Sequence, residues 1–246
     1  MSQPSDTKRE GPDEHPFEGG SLGPYHLLRV IGEGGFGTVW LAERREPFVQ
    51  RVAIKVLRAG LQSAGPEHGG ILARFEQERQ ALALMDHPGI ARVFDAGSSP
   101  DGRPYFVMEF IAGESLTRYC DRRLLSEHAR LELLAQVCDA VHHAHQKGVV
   151  HRDLKPGNIL VGEHEGTPQA RVIDFGVAKA LGPALTDRTL FTREGLSIGT
   201  PAYMAPEQGG DAAHADARSD VYSLGVILHE LIARSLPPGH QGDTMP

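Results

Sequence analysis

Short apolar runs rich in β-branched residues crowd the first half of the chain, and apolar residues at helical spacing fill much of the second. Residues 27–31 and 38–42 predict two strands flanking a glycine turn, and residues 52–57 predict a third. A loop over 60–70 follows, with glycines, a proline and a Gly-Gly pair. Residues 71–85 set Ile71, Leu72, Phe75, Leu82 and Met85 at helical spacing, and His87-Pro88-Gly89 stops that helix. Residues 90–94 and 105–110 predict two more strands, separated by the turn Ser99-Pro100-Asp101-Gly102. Beyond Gly113 the pattern becomes helical, and residues 131–145 place Leu131, Leu134, Ala135, Cys138 and Val141 on one face. A strand-rich half with one helix followed by a helix-rich half is an α+β arrangement. Residues 1–23 are polar, with Ser, Pro, Gly, Asp and Glu, and read as a disordered leader. There is no internal repeat.

A length of 246 residues suits one two-lobed domain or two small ones. With 40% hydrophobic and 23% charged residues the composition is that of a globular protein. A net charge of −7 argues against nucleic acid as the main partner. The two cysteines, Cys120 and Cys138, form no CxxC pair and read as ordinary thiols of a reducing compartment. No apolar run approaches the ~20 residues needed to cross a bilayer. The best stretch, residues 221–233, is broken by Ser223, Gly225, His229 and Glu230. The expectation is a cytoplasmic protein with no membrane segment in this chain.

The chemistry lies in short motifs. His151-Arg152-Asp153-Leu154-Lys155-Pro156-Gly157-Asn158 puts a carboxylate, an ammonium and an amide in one loop, and Asp174-Phe175-Gly176 adds a second carboxylate. Such a set can hold a nucleoside triphosphate with its metals and bring a hydroxyl to the terminal phosphate. Gly32-Glu33-Gly34-Gly35-Phe36-Gly37 fits GxGxxG, a spacing shared with dinucleotide sites and with glycine hairpins that hold no ligand. A dinucleotide site needs a helix next, whereas Thr38-Val39-Trp40-Leu41 prefers a strand. Thr38 also stands where a Walker loop has lysine. A strand–glycine–strand flap remains, whose backbone N–H groups can approach phosphate oxygens. Strand alternation puts Ala53 and Lys55 of Val52-Ala53-Ile54-Lys55 on one face, a small residue beside a cation. Glu76 and Glu78 are the candidate acids for Lys55, and they point to different faces of their helix.

Together with Gly199-Thr200-Pro201 and Ala205-Pro206-Glu207, these motifs run in the order seen in one family. From Tyr25 to about Ala233 the chain resembles the eukaryotic-type serine/threonine protein kinases, most of all their bacterial members. The resemblance implies a bilobal protein-kinase-like fold. A small antiparallel β-sheet lobe with one helix (about 24–109) would sit on a larger, mainly helical lobe (about 112–246). It implies transfer of the γ-phosphoryl group of ATP, with Mg²⁺, to Ser/Thr hydroxyls of proteins. Asp153 would accept the substrate hydroxyl's hydrogen bond. Because an aspartate of ordinary pKa, about 3.9, is a weak base at neutral pH, orienting that hydroxyl is its larger task. Lys155 would neutralise the moving phosphoryl group, and Asn158 and Asp174 would hold Mg²⁺ through oxygen. Lys55 would position the phosphates, paired with Glu78, whose distance from His87-Pro88 resembles the family spacing. Ile31, Gly32, Glu33, Gly34, Gly35, Phe36, Gly37, Thr38 and Val39 would cover the nucleotide. Val39, Ala53 and Leu160 would sandwich the adenine, with backbone groups of Glu109 and Ile111, after Met108, on its edge. Arg152 marks the subgroup switched by phosphorylation of the activation segment, where Thr186, Thr189, Thr192 and Ser197 are acceptors and Thr192 is placed first.

The chain stops soon after Leu236-Pro237-Pro238-Gly239, where the family continues, so the large lobe is expected to be C-terminally incomplete. Glu207 would then lack an arginine partner, and the apolar face of residues 221–231 would lack full cover. A non-catalytic nucleotide-binding or scaffold module and an incomplete kinase fragment are the alternatives to a working enzyme. His142, His143 and His145 read as exposed helix histidines rather than a metal site, and residues 162–169 as a longer hairpin turn.

Overall fold

A computed structural model describes residues 20–34, 37–57, 85–175, 201–209 and 216–240. The upper part holds β1 (Ser21–Leu22), β2 (Tyr25–Gly34), β3 (Gly37–Arg44), β4 (Gln50–Leu57), β5 (Val93–Ser98) and β6 (Pro104–Glu109). The lower part holds β7 (Glu114–Ser115), α1 (Leu116–Arg122), α2 (Glu127–Gln146), β8 (Ile159–His164), β9 (Thr167–Val172) and α3 (Ala217–Ala233). Single 3₁₀ turns lie at Pro156–Asn158, Pro201–Tyr203 and Pro206–Gly209. This is the expected α+β, two-lobed arrangement. The predicted helix over 71–85 lies outside the described residues except for Met85, which is buried.

The upper sheet is antiparallel, in the order β1-β2-β3-β4-β6-β5. Period-two alternation decides where its side chains go. Val52, Ile54 and Val56 of β4 join Tyr105 and Val107 of β6 in one core, with Leu22, Tyr25 and Trp40. Ala53 and Leu57, with Phe106 and Met108, face the other way into a core that continues through α1, α2 and α3. The alternation therefore also points Lys55 toward the lower lobe.

Several boundaries differ from the sequence reading. The leader lies mostly outside the described residues, but residues 21–22 form β1, and Leu22 is buried. One apolar residue in a polar stretch has no period to detect. The strand expected over 90–94 begins only at Val93 and runs to Ser98. Residues before it serve a seam between the lobes instead. Ile90 bridges Val172 in parallel, Ala91 N donates to Val172 O (2.9 Å), and Val172 N donates to Gly89 O (2.8 Å).

Helix α2 starts at Glu127, earlier than its apolar period, because Ser126 caps it by accepting from Ala129 N (3.3 Å). Its buried stripe is Arg130, Leu133, Leu134, Val137, Ala140, Val141 and Ala144, so Leu131, Ala135 and Cys138 are exposed, contrary to the expected face. Both stripes have helical spacing, and packing against α3 and β9 selects between them. Buried Arg130 links the helices through Asp121 Oδ1 (2.7 Å), Leu125 O (3.2 Å) and Leu231 O (3.4 Å). The insert over 162–169 is mostly strand: β8 and β9 pair out to His164↔Thr167. Only Glu165-Gly166 turns, with φ of 52° and 77°, as a tight type I′ hairpin requires.

Candidate active site

Helix α2 ends at Gln146, and the chain then drops into the loop His151–Asn158, which no strand or α-helix orders. Buried polar groups order it. Asp220, in the first turn of α3, has no exposed surface and accepts from His151 N (2.8 Å), Arg152 N (2.8 Å) and His145 Nε2 (2.7 Å). A carboxylate can be buried there because its oxygens are met by N–H donors. His151 is buried as well. Its Nε2–H donates to Ile173 O (2.9 Å) and its Nδ1 accepts from Asp153 N (3.2 Å), so one imidazole links the two site segments. Phe175, buried, packs edge-on to that ring at 4.8 Å. Two site residues, Arg152 (φ 68°) and Asp174 (φ 64°), hold left-handed backbone, a conformation of order 1–3 kcal/mol above the usual wells that persists only where surroundings enforce it.

A cleft of about 330 Å³ opens between the lobes. Its lining includes Ile31, Gly32, Glu33, Gly34, Gly37, Val39 and Lys55 from above and Asp153, Lys155, Asn158, Leu160 and Asp174 from below. Lys55 Nζ lies 2.7 Å from Asp174 Oδ2, an ion pair bridging 119 positions of sequence. Asp153 Oδ2 accepts from Lys155 Nζ (2.8 Å) and Asn158 Nδ2 (3.1 Å), and Asn158 Nδ2 also donates to Asp153 O (2.7 Å). The amide nitrogen of Asn158 is thus engaged, which turns its oxygen into the free end.

Thr38, Ala53, Glu109 and Ile111 do not line this cleft. Glu109 N donates to Arg92 O (2.8 Å), so of its two backbone groups only the carbonyl could meet a ligand. Gly35, Phe36, Glu78 and the four candidate phosphoacceptors lie outside the described residues. Among the flap glycines, Gly37 is demanded by the protein itself. A Cβ there would sit 2.1 Å from Val56 O, whereas one on Gly34 would meet nothing within 4 Å. Gly34 lines the cleft, as do Gly32 and Gly37.

The sequence reading missed several residues around this site. Arg171, three positions before Asp174, holds Glu109 through both carboxylate oxygens (3.0 and 3.1 Å), joining the lobes. Gln208 and His145 contact the loop and its anchor from 56 and 75 positions away, distances with no local signature. The expected exposure of the histidines is corrected: only His142 is exposed, His143 stacks on His87 at 5.0 Å, and His145 serves Asp220. Among the described residues no group of three metal-binding side chains gathers. Glu207 is not an unpaired buried charge either. It is exposed and accepts from Ser219 Oγ (2.8 Å). On α3, Val221, Leu228 and Ile232 are exposed while Val226, Ile227 and Leu231 are buried. A separate depression of about 250 Å³ between α2 and β9 holds none of the predicted site residues.

The protein kinase domain profile matches residues 25–245, nearly the whole of both lobes. The chain belongs to the protein kinase family. The kinase domain is 40% identical over 230 residues to the serine/threonine-protein kinase Pkn1 of Myxococcus xanthus, covering 93% of this chain and 32% of that protein. It is 43% identical over 223 residues to the serine/threonine-protein kinase PknA of Mycobacterium tuberculosis, covering 87% of this chain and 48% of PknA. The chain thus spans a third to a half of these relatives. Among solved structures, a mutant PknI kinase domain of Mycobacterium tuberculosis superposes with a TM-score of 0.68 at 26% identity, covering 93% of this chain and 82% of that one. No helix among the described residues is long and apolar enough to cross a membrane.

Proposed function

We propose that this kinase domain transfers the γ-phosphoryl group of ATP to Ser or Thr hydroxyls of proteins, within the lobes 24–109 and 112–246. The observation that carries the reading is the meeting of Lys55, Asp153, Asn158 and Asp174 in one cleft, with the Lys55–Asp174 pair at 2.7 Å. The donor set suits a hard cation: Asp174 and Asn158 offer oxygen, and the Asn158 nitrogen is already spent on Asp153. Mg²⁺ held there would neutralise phosphate charge. Lys55 trades Asp174 for the phosphates when nucleotide enters, and Lys155 meets the charge that spreads over the moving phosphoryl group. Asp153 Oδ2 is held by Lys155 and Asn158, which leaves the other oxygen to meet the acceptor hydroxyl. Val39 and Leu160, which line the cleft, supply the apolar walls for the base, and Ala53 and the Glu109 carbonyl are its further expected contacts. Glu78 is the partner of Lys55 in the same reading.

Regulation belongs to the proposal. The Nε of Arg152 is buried without a hydrogen-bond partner among the described residues, and a phosphate on the activation segment, first at Thr192, would meet that guanidinium. A cytoplasmic location agrees with the two free thiols and with the use of ATP.

The test is incorporation of phosphate from ATP and Mg²⁺ into the chain and a generic protein acceptor. Asp153→Asn should lower transfer roughly 10²- to 10⁴-fold while nucleotide still binds. Lys55→Met should weaken productive nucleotide positioning. Equal activity of either variant and the wild type, or folded protein that never binds nucleotide, would overturn the reading.

A further inference from the structure

Gln208 is a buried side chain in the turn Pro206–Gly209, and both ends of its amide are engaged. Its Oε1 accepts from Ala205 N (3.0 Å), beside its own turn. Its Nε2 donates to Arg152 O (2.8 Å), the carbonyl of the peptide that joins Arg152 to Asp153. On the other side of the same residue, Arg152 N donates to Asp220 Oδ1 (2.8 Å). Arg152 is thus gripped at both backbone groups, by α3 on one side and by the 201–209 segment on the other. Its φ of 68° is one that a side-chain-bearing residue holds only under such constraint. The peptide that carries the Arg152 carbonyl ends at Asp153 Cα, so its orientation helps set the direction in which the Asp153 Cα–Cβ bond leaves the loop.

We infer that Gln208 is a positioning residue for Asp153, coupling the placement of residues 201–209 to the aim of the carboxylate that meets the acceptor hydroxyl. The inference rests on the proposed kinase function. Releasing the Arg152 carbonyl lets the peptide rotate out of its left-handed setting, which moves Asp153 while leaving the Lys55–Asp174 side of the cleft in place. A misplacement of this kind lowers the rate of transfer more than the affinity for nucleotide.

Two variants separate positioning from support of the turn. Gln208→Glu keeps an acceptor for Ala205 N but sets carboxylate oxygen against the Arg152 carbonyl. Gln208→Met keeps the volume and removes both bonds. Both should lower kcat roughly 10- to 100-fold, with the KM for ATP and the nucleotide Kd changed less than about twofold. Amide hydrogen exchange at Arg152 and Asp153 should quicken in both, with β4 unaffected. Wild-type kcat in the Glu variant would overturn the inference. So would a fall in kcat matched by equal losses in nucleotide affinity and melting temperature. If the wild-type chain transfers no phosphate, the kinase reading fails, and the exchange measurement still decides whether Gln208 holds the loop.

Discussion

Strands β3 and β4 pair residue for residue from Gly37↔Leu57 to Arg44↔Gln50, neighbours joined by a short connection. The loop His151–Asn158 has almost no such local pairing. Short bonds around Asp153 shape it from within, and its placement comes from Asp220, Gln208 and Ile173, which lie between 22 and 69 positions away from the groups they bind. A sheet is ordered by many weak repeated interactions, so the loss of one is shared. A loop ordered by a few buried polar groups has no such redundancy, because each lost partner strands a donor or acceptor away from water.

Removing the loop's anchor should produce the largest effect. Asp220→Ala leaves the N–H groups of His151 and Arg152 buried without acceptors, and stability should fall by about 3–5 kcal/mol. Transfer activity per folded molecule should fall with it. Denaturant unfolding and activity at matched folded fraction measure both, and retained activity would erase the contrast between loop and sheet.

The sheet offers the counterpart. Ile54 is fully buried in the upper core, on the face opposite Lys55. Ile54→Ala should cost about 2–4 kcal/mol through lost burial and the cavity left behind. The folded fraction should nevertheless keep its kcat, and amide exchange in the loop should stay as slow as in the wild type. A drop in kcat as large as that of Asp220→Ala would show that the two regions are not separable.

The smallest effect lies at the join between the 201–209 segment and α3. Tyr203 donates its hydroxyl to Glu230 Oε2 (2.6 Å), and burial, then the Glu230 carboxylate, raises the pKa of the phenol well above its ordinary value. Tyr203→Phe should cost about 1–2 kcal/mol near neutral pH. The raised pKa means the folded state favours the protonated phenol. That stability is fully present below the unfolded tyrosine pKa of about 10 and is lost as pH rises beyond it. Tyr203→Phe should remove part of this alkaline loss, seen as a flatter plot of unfolding free energy above about pH 10.

Much of the chemistry is legible in the residues alone, because a motif needs specific side chains at fixed short spacing. Lys55, Asp153, Asn158 and Asp174 stand out by their motifs, and all four line one cleft. Packing is harder to read. Helical spacing puts Leu131, Ala135 and Cys138 on an apolar face of α2, yet all three are exposed, because two stripes of equal spacing compete on that helix. Arg171 and Gln208 leave no trace, and His145 stands out only as one of three clustered helix histidines, because the partners that give these residues their roles lie far along the chain.

Periodicity and turn chemistry, which act between near neighbours, place most of the strands and the helix over 127–146, while the identity and order of short motifs carry the kinase resemblance and, through it, the antiparallel two-lobed fold. The aim of the Asp153 carboxylate, the left-handed backbone at Arg152 and Asp174, and the seam between Gly89–Ala91 and Val172 are decided only by the tertiary structure. The grips on Arg152 and the seam at Val172 join groups far apart along the chain, and such matches exist only once the segments that carry them have packed together.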